Sequence, residues 1–154
     1  MKRPQSVPPV RGFTLLELLA ALAIAGLVLA VSVPASVRLY ESMQYREAVR
    51  DVLTLFASAR YTAITSGHAQ DVEIHPASRE LRLNNTVKQL PGDVRLSVDS
   101  ARELNRGEVG IIRFYPEGGT SGGGVSIENA NGSGVKITVD WLLGRVSQEK
   151  YGFN

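Results

Sequence analysis

Residues 11–34 read RGFTLLELLAALAIAGLVLAVSVP, and how this stretch is understood decides the fold and the role of everything after it. From Phe13 to Val33 the polar side chains are Thr14, Glu17 and Ser32, and Leu18 to Val31 is an unbroken apolar run that includes Gly26. A bilayer core about 30 Å thick needs ~20 helical residues to cross it; residues 13–33 supply 21. The anomaly is Glu17. An acid at the centre of a spanning helix costs about 2.5–3.5 kcal/mol on insertion scales, and less near an end where water is close. The carboxylate therefore asks for a partner.

The flanks orient the segment. Of the 17 basic side chains in the 154-residue chain, Lys2, Arg3 and Arg11 precede the apolar run with no acid among them. That leaves 14 basic against 15 acidic side chains over residues 13–154. The basic character sits in the leader and says nothing about nucleic acid. After the segment, Arg38, Arg46 and Arg50 alternate with Glu41, Glu47 and Asp51. The positive-inside bias predicts a cytoplasmic N-terminus and a body across the membrane. The absence of cysteine excludes disulfides, thiolate metal sites and cysteine nucleophiles.

Two ordinary readings compete. A secretory signal peptide needs a small-residue cleavage site beyond its apolar core; here Ala21, Ala23 and Ala25 lie inside the run, and Ser32-Val33-Pro34 suits cleavage poorly. A plain transmembrane anchor fits in length and orientation but leaves Glu17 unexplained.

RGFTLLELL resembles the processing site of type IV prepilins and pseudopilins. The resemblance implies cleavage by a dedicated aspartyl peptidase between Gly12 and Phe13, N-methylation of Phe13, and Glu17 as the fifth residue of the mature chain. It also places Pro34 at mature position 22, where the family often carries a proline and where a helix kink is expected. Residues 1–12 are then a leader, 13–34 a transmembrane and assembly helix, and 35–154 a periplasmic body. Physical logic agrees. Phe13 and Glu17 lie one helical turn apart on one face. Cleavage creates an α-amine at Phe13 that Glu17 of a neighbouring subunit can pair with, and removing one partner of such a buried pair costs about 3–5 kcal/mol. Glu17 would act as a register device for filament assembly.

Beyond Pro34, apolar side chains recur at Tyr45, Val49, Val52, Leu53, Phe56, Ala59 and Ala63, the three-and-four spacing of one buried helical stripe. Arg46, Glu47, Arg50, Asp51, Ser58 and Arg60 occupy the other face, and Gly67 suits a C-terminal stop. The pattern predicts one helix from near Phe13 to about Ser66, roughly 80 Å long at 1.5 Å per residue, with two separate helices as the alternative. Beyond Gly67 the period changes from 3.6 to two. DVEIHP, RELRL, DVRLSVD, VGIIRFYP, GVSIEN and GVKITVDW, the last with Trp141 on its apolar face, read as short strands between turn signals. The last two of these strands straddle Asn131-Gly132-Ser133-Gly134 as a hairpin, and residues 99–108 form a polar connection. The fold class is α+β: a type IV pilin-like long N-terminal helix packed on an antiparallel β-sheet or β-sandwich body.

The stretch IRFYPEGGTSGGGVSI, followed by VKITVDWLLGRV with Gly144-Arg145-Val146, resembles the C-terminal half of H-type minor pseudopilins of type II secretion systems. Minor pilins of the fimbrial-T and fimbrial-U type share the layout. The resemblance implies a non-enzymatic subunit of the secretion pseudopilus. Its partners would be other major and minor pseudopilins, the prepilin peptidase/methyltransferase, the inner-membrane assembly platform and the lipid bilayer. The alternative is a minor type IV pilin engaged in pilus assembly or DNA uptake.

Other motifs carry less. Gly119-Thr120-Ser121-Gly122-Gly123 matches the G-x-S-x-G nucleophile elbow, which requires a strand before it and a helix after it; here a strand pattern follows. His68 and His75, with Asp71 and Glu73 between them, read as surface or hydrogen-bonded side chains rather than metal ligands. The C-terminal LGRVSQEKYGFN lacks the clustered carboxylates of the calcium loop found in some major pseudopilins. Arg79, Arg82, Lys88 and Arg95 could converge as a basic stripe for DNA, but Glu80 and Asp93 dilute them. No catalytic residue, metal, cofactor or nucleic-acid partner is expected.

Overall fold

The computed structural model describes residues 12–101 and 104–152, with the side chains of residues 34, 35 and 38 outside the description. Residues 1–11 of the expected leader, the expected side-chain role of Pro34, and Arg102 and Glu103 of the polar connection therefore lie outside the described residues. The chain divides into two units, Met1–Glu41 and Ser42–Asn154.

A single helix, α1, is assigned over Leu15–Ser66, including residue 34. It stops where expected: Gly67 takes φ 68° and its N–H donates to the Ala63 carbonyl at 3.1 Å, the left-handed cap that glycine adopts without Cβ strain. In the first unit the large apolar side chains from Phe13 to Val33 are exposed. Leu15–Val33, 19 residues of mean hydropathy 2.5, is long and apolar enough to cross a membrane.

In the second unit eight strands follow: β1 (Gln70–His75), β2 (Glu80–Leu83), β3 (Thr86–Gln89), β4 (Arg95–Asp99), β5 (Gly110–Phe114), β6 (Gly123–Glu128), β7 (Gly134–Val139) and β8 (Val146–Tyr151). They make two four-stranded antiparallel sheets, in the orders β3-β2-β1-β5 and β4-β6-β7-β8. The period-two pattern explains the register. Val72 faces Leu83 and Ile112 across its two neighbours, and Val125 faces Ile137, so each sheet gathers its apolar side chains on one face.

That face meets the stripe on α1. Val52, Phe56, Ala59 and Ala63 are fully buried with Val72, Ile74, Leu81, Ile112 and Phe114 of the first sheet and Ile127 and Ile137 of the second. Burial of each large aliphatic or aromatic side chain is worth ~1.5–3 kcal/mol. Phe56 and Phe114 are joined as a tilted pair with ring centres 6.0 Å apart. Tyr45, at the edge of the stripe, donates its hydroxyl to the Ile127 carbonyl at 3.0 Å. Ile111 is buried on the opposite face of β5. There the polar connection docks: Asn105 Oδ1 accepts from the Ile111 N–H at 3.2 Å and from Ser100 Oγ at 2.8 Å.

Two expectations need correction. The alternating pattern does not mark β3 and β8 as strands. Their side chains are almost all exposed, so they carry no alternating apolar signal. Both are edge strands held by backbone pairing to β2 and β7. The hairpin across Asn131–Gly134 is present as β6–β7, but β8 follows it. Trp141 does not extend the apolar face of β7. That strand ends at Val139, and Trp141 sits 67% exposed in the β7–β8 connection.

Candidate functional site

The assembly segment begins with a closed set of hydrogen bonds. The Thr14 N–H donates to Glu17 Oε2 at 3.1 Å, the Thr14 hydroxyl lies 3.2 Å from the same oxygen, and the Glu17 N–H donates to Thr14 Oγ1 at 3.2 Å. This is a reciprocal capping box: a threonine before the first turn and a glutamate three residues on satisfy two backbone donors that a helix start leaves orphaned. The negative charge also sits at the positive end of the helix dipole. Within a single subunit, then, the carboxylate has a local partner in Thr14. Sequence reading singled out Glu17 and missed Thr14, although the T-x-x-E spacing of Thr14-Leu15-Leu16-Glu17 carries the signal. Gly12 and Phe13 precede the helix in non-helical backbone, and Phe13 is 85% exposed. The scissile bond expected between them lies in an accessible, irregular stretch.

The other candidate residues resolve into structural roles. Ser121 Oγ accepts from the Arg113 N–H at 3.0 Å, and the next element is strand β6, so the strand–turn–helix geometry of a nucleophile elbow is not formed. His68 Nδ1 lies 2.8 Å from the Ser66 carbonyl, and His75 Nε2 lies 3.6 Å from Glu73 Oε2. Among the described residues no group of three or more such side chains is arranged to hold a metal ion.

The basic stripe considered for DNA is not assembled. Arg82 pairs with Glu80 at 2.7 Å, Lys88 with Asp51 of α1 at 2.9 Å, and Arg95, which lies in the other sheet, with Glu128 at 2.7 Å. Arg113 holds Asp71, its register partner on β1, through two bonds of 2.6 and 2.7 Å. That carboxylate raises the guanidinium above its ordinary pKa, by hydrogen bonding first and charge second.

Gly144-Arg145-Val146 closes the β7–β8 connection. Asp140 Oδ1 accepts from the N–H groups of Leu142 and Leu143, at 3.0 and 2.7 Å, and the Asp140 N–H donates to the Arg145 carbonyl at 2.9 Å. Gly144 has φ 59°, and a Cβ there would overlap the Gly118 carbonyl oxygen, so the glycine is required twice over.

Residues 9–33 match the family model of the prokaryotic N-terminal methylation motif. The chain carries a prokaryotic N-terminal methylation motif. The motif spans the expected cleavage bond, Phe13, the capping box of Thr14 and Glu17, and the apolar segment up to Val33. The fold is similar to that of the minor pseudopilin EpsH from the Type 2 Secretion System of Vibrio cholerae. That structure superimposes with a TM-score of 0.58 at 12% identity over 71% of this chain and 99% of that one. No curated protein sequence matches the chain. A methylation motif thus stands at the head of a chain with the pseudopilin fold, a long N-terminal apolar helix followed by antiparallel sheets.

Proposed function

We propose that the chain is a minor pseudopilin, a structural subunit of the type II secretion pseudopilus that helps export folded proteins across the outer membrane. The observation that carries this reading is the union of the methylation motif over residues 9–33 with the pseudopilin fold. Prepilin peptidase cuts between Gly12 and Phe13, and Phe13 is methylated. The Leu15–Val33 helix holds the protein in the inner membrane with the body in the periplasm until it is drawn into the filament. On assembly Glu17 exchanges its intrasubunit partner Thr14 for the α-amine of a neighbouring Phe13, and that pairing fixes the axial stagger. Pro34 lowers the cost of bending as the helix leaves the bilayer. The subunit works by packing beside other pseudopilins on the assembly platform, and no catalytic step is assigned to it.

The reading as a minor pilin that contacts DNA is the weaker one, because three of the four basic side chains of the stripe, Arg82, Lys88 and Arg95, are each committed to a carboxylate and Arg95 lies in the other sheet, which leaves Arg79 by itself. The deciding experiment is complementation of a secretion strain lacking this subunit. Wild-type protein should restore export and be recovered in sheared pseudopili, whereas Glu17→Ala should stay in the membrane fraction. Equal recovery of the Glu17→Ala protein in the filament would remove the proposed role of the carboxylate.

A further inference from the structure

Beside the C-terminal turns of α1 runs an apolar groove that the assembly segment does not use. Ala57, Tyr61 and Ile64 of the helix form one wall and Leu143 and Val146 the other, enclosing about 620 Å³. Tyr61 and Leu143 are 71% and 54% exposed, apolar surface that no element covers among the described residues. The connection is held open rather than collapsed. The Asp140 carboxylate fixes the backbone at Leu142 and Leu143, and Arg60 Nη2 donates to the Leu143 carbonyl at 3.3 Å.

Charge selects the occupant. Arg60 and Arg145 line this groove, and among the described residues neither lies within 4.0 Å of a carboxylate. Arg82, Arg95, Arg106 and Arg113 are paired, and of the described arginines without such a partner, Arg46, Arg50 and Arg79 do not line the groove. A purely apolar partner would strip water from two guanidinium groups and give nothing back. A carboxylate can accept their planar N–H donors in pairs.

We propose that this groove docks a segment of another protein chain in which apolar side chains flank a carboxylate. The apolar groups fill the cleft between Tyr61, Ile64 and Leu143, and the carboxylate sits on Arg145 and on the N–H groups of Arg60 that Leu143 leaves open. A bilayer is the poorer fit, because the surface is a cleft bounded on two sides and not a protruding face. The groove lies within Ser42–Asn154, and the inference goes beyond the subunit reading without drawing on the N-terminal motif.

Trp141 is the only tryptophan, is 67% exposed and lies two residues from Leu143, so its fluorescence reports occupancy. The full chain in phosphatidylcholine nanodiscs is titrated with the blocked peptide LELFEL and with its neutral counterpart LQLFQL. The expected result is a saturable blue shift with LELFEL binding at least about tenfold tighter than LQLFQL at low salt, a preference that rests on charge complementarity. Arg145→Glu and Arg145→Gln should both erase that preference with the fold intact by circular dichroism, while Arg82→Ala keeps it. Equal affinity for the two peptides, no saturable shift with either, or a preference that survives both Arg145 variants would overturn the proposal. So would a response confined to phosphatidylglycerol vesicles, which would make the surface a lipid site.

Discussion

Thr14 and Glu17 cap each other: the threonine N–H reaches the carboxylate at 3.1 Å while the glutamate N–H reaches the threonine hydroxyl at 3.2 Å. The carboxylate therefore offers both an acceptor for the cap and a negative charge, and substitutions can separate the two. Glu17→Gln keeps an oxygen acceptor for the cap and loses the charge. Thr14→Val removes the hydroxyl and keeps the charge. Loss of a cap costs about 0.5–2 kcal/mol of local helix stability. Hydrogen exchange of the first helical turn in nanodiscs should accelerate in Thr14→Val and change little in Glu17→Gln. Faster exchange in Glu17→Gln than in Thr14→Val would show that charge at the helix dipole, and not the box, holds this turn.

The joint between α1 and the sheets rests on Phe56, fully buried and paired with Phe114. Phe56→Ala should destabilise the body by about 3–5 kcal/mol through lost transfer energy and the cavity left behind. Chemical denaturation followed through near-ultraviolet circular dichroism checks this. A loss below about 1 kcal/mol, the scale of an ordinary surface change, would mean that the ring does not pack as described.

Gly144 and Gly132 both have positive φ, 59° and 79°, but only Gly144 is crowded, against Gly118 and Arg60. Alanine at Gly132 should cost about 1 kcal/mol for its backbone alone. Alanine at Gly144 should cost more, about 2–4 kcal/mol, because the connection must also move. Thermal melts of the two variants read the difference, and equal melting temperatures would refute the close approach.

Tyr45 and Tyr151 both have pKa values raised above 10.0 in the folded chain, chiefly by burial and next by neighbouring negative charge. A raised tyrosine pKa means that the folded state holds its proton more tightly. The contribution is complete below the unfolded value of about 10 and is lost as pH rises through the folded value. Stability should thus be insensitive to these groups at neutral pH and fall above about pH 10. Tyr45→Phe should flatten part of that alkaline fall. It should also lower stability by about 1 kcal/mol at neutral pH, because the Ile127 carbonyl loses its donor. Urea melts from pH 7 to 11 test both halves, and an unchanged alkaline slope in the variant would contradict the first.

What was legible in the sequence follows from where side chains are buried. Val72 and Ile74, or Val135, Ile137 and Val139, write their strands as alternation because one face is in the core. The stripe from Val49 to Ala63 writes the helix in the same way. β3 and β8 have no buried face, and Thr86–Gln89 and Val146–Tyr151 are held by ladders to which any sequence could contribute. Trp141 departs from its pattern because an aromatic after an alternating run looks like the next inward residue, whereas the chain has already turned at Asp140. At the N-terminus the pattern R-G-F-T-L-L-E over residues 11–17 lies within the segment that matches the methylation motif, residues 9–33. The role of Thr14 is less legible because a capping hydroxyl carries no hydrophobic or charge signal of its own, whereas Glu17 stands out against the apolar run.

The central claim is that Gly12–Phe13 is a processing site whose new amine Glu17 will use. Intact-mass analysis of the protein made with and without an active prepilin peptidase tests it most directly. With the peptidase, the chain should lose residues 1–12 and gain one methyl group on Phe13; without it, the full-length mass should persist. A full-length, unmethylated chain recovered from a working assembly, or cleavage at any other bond, would contradict the account.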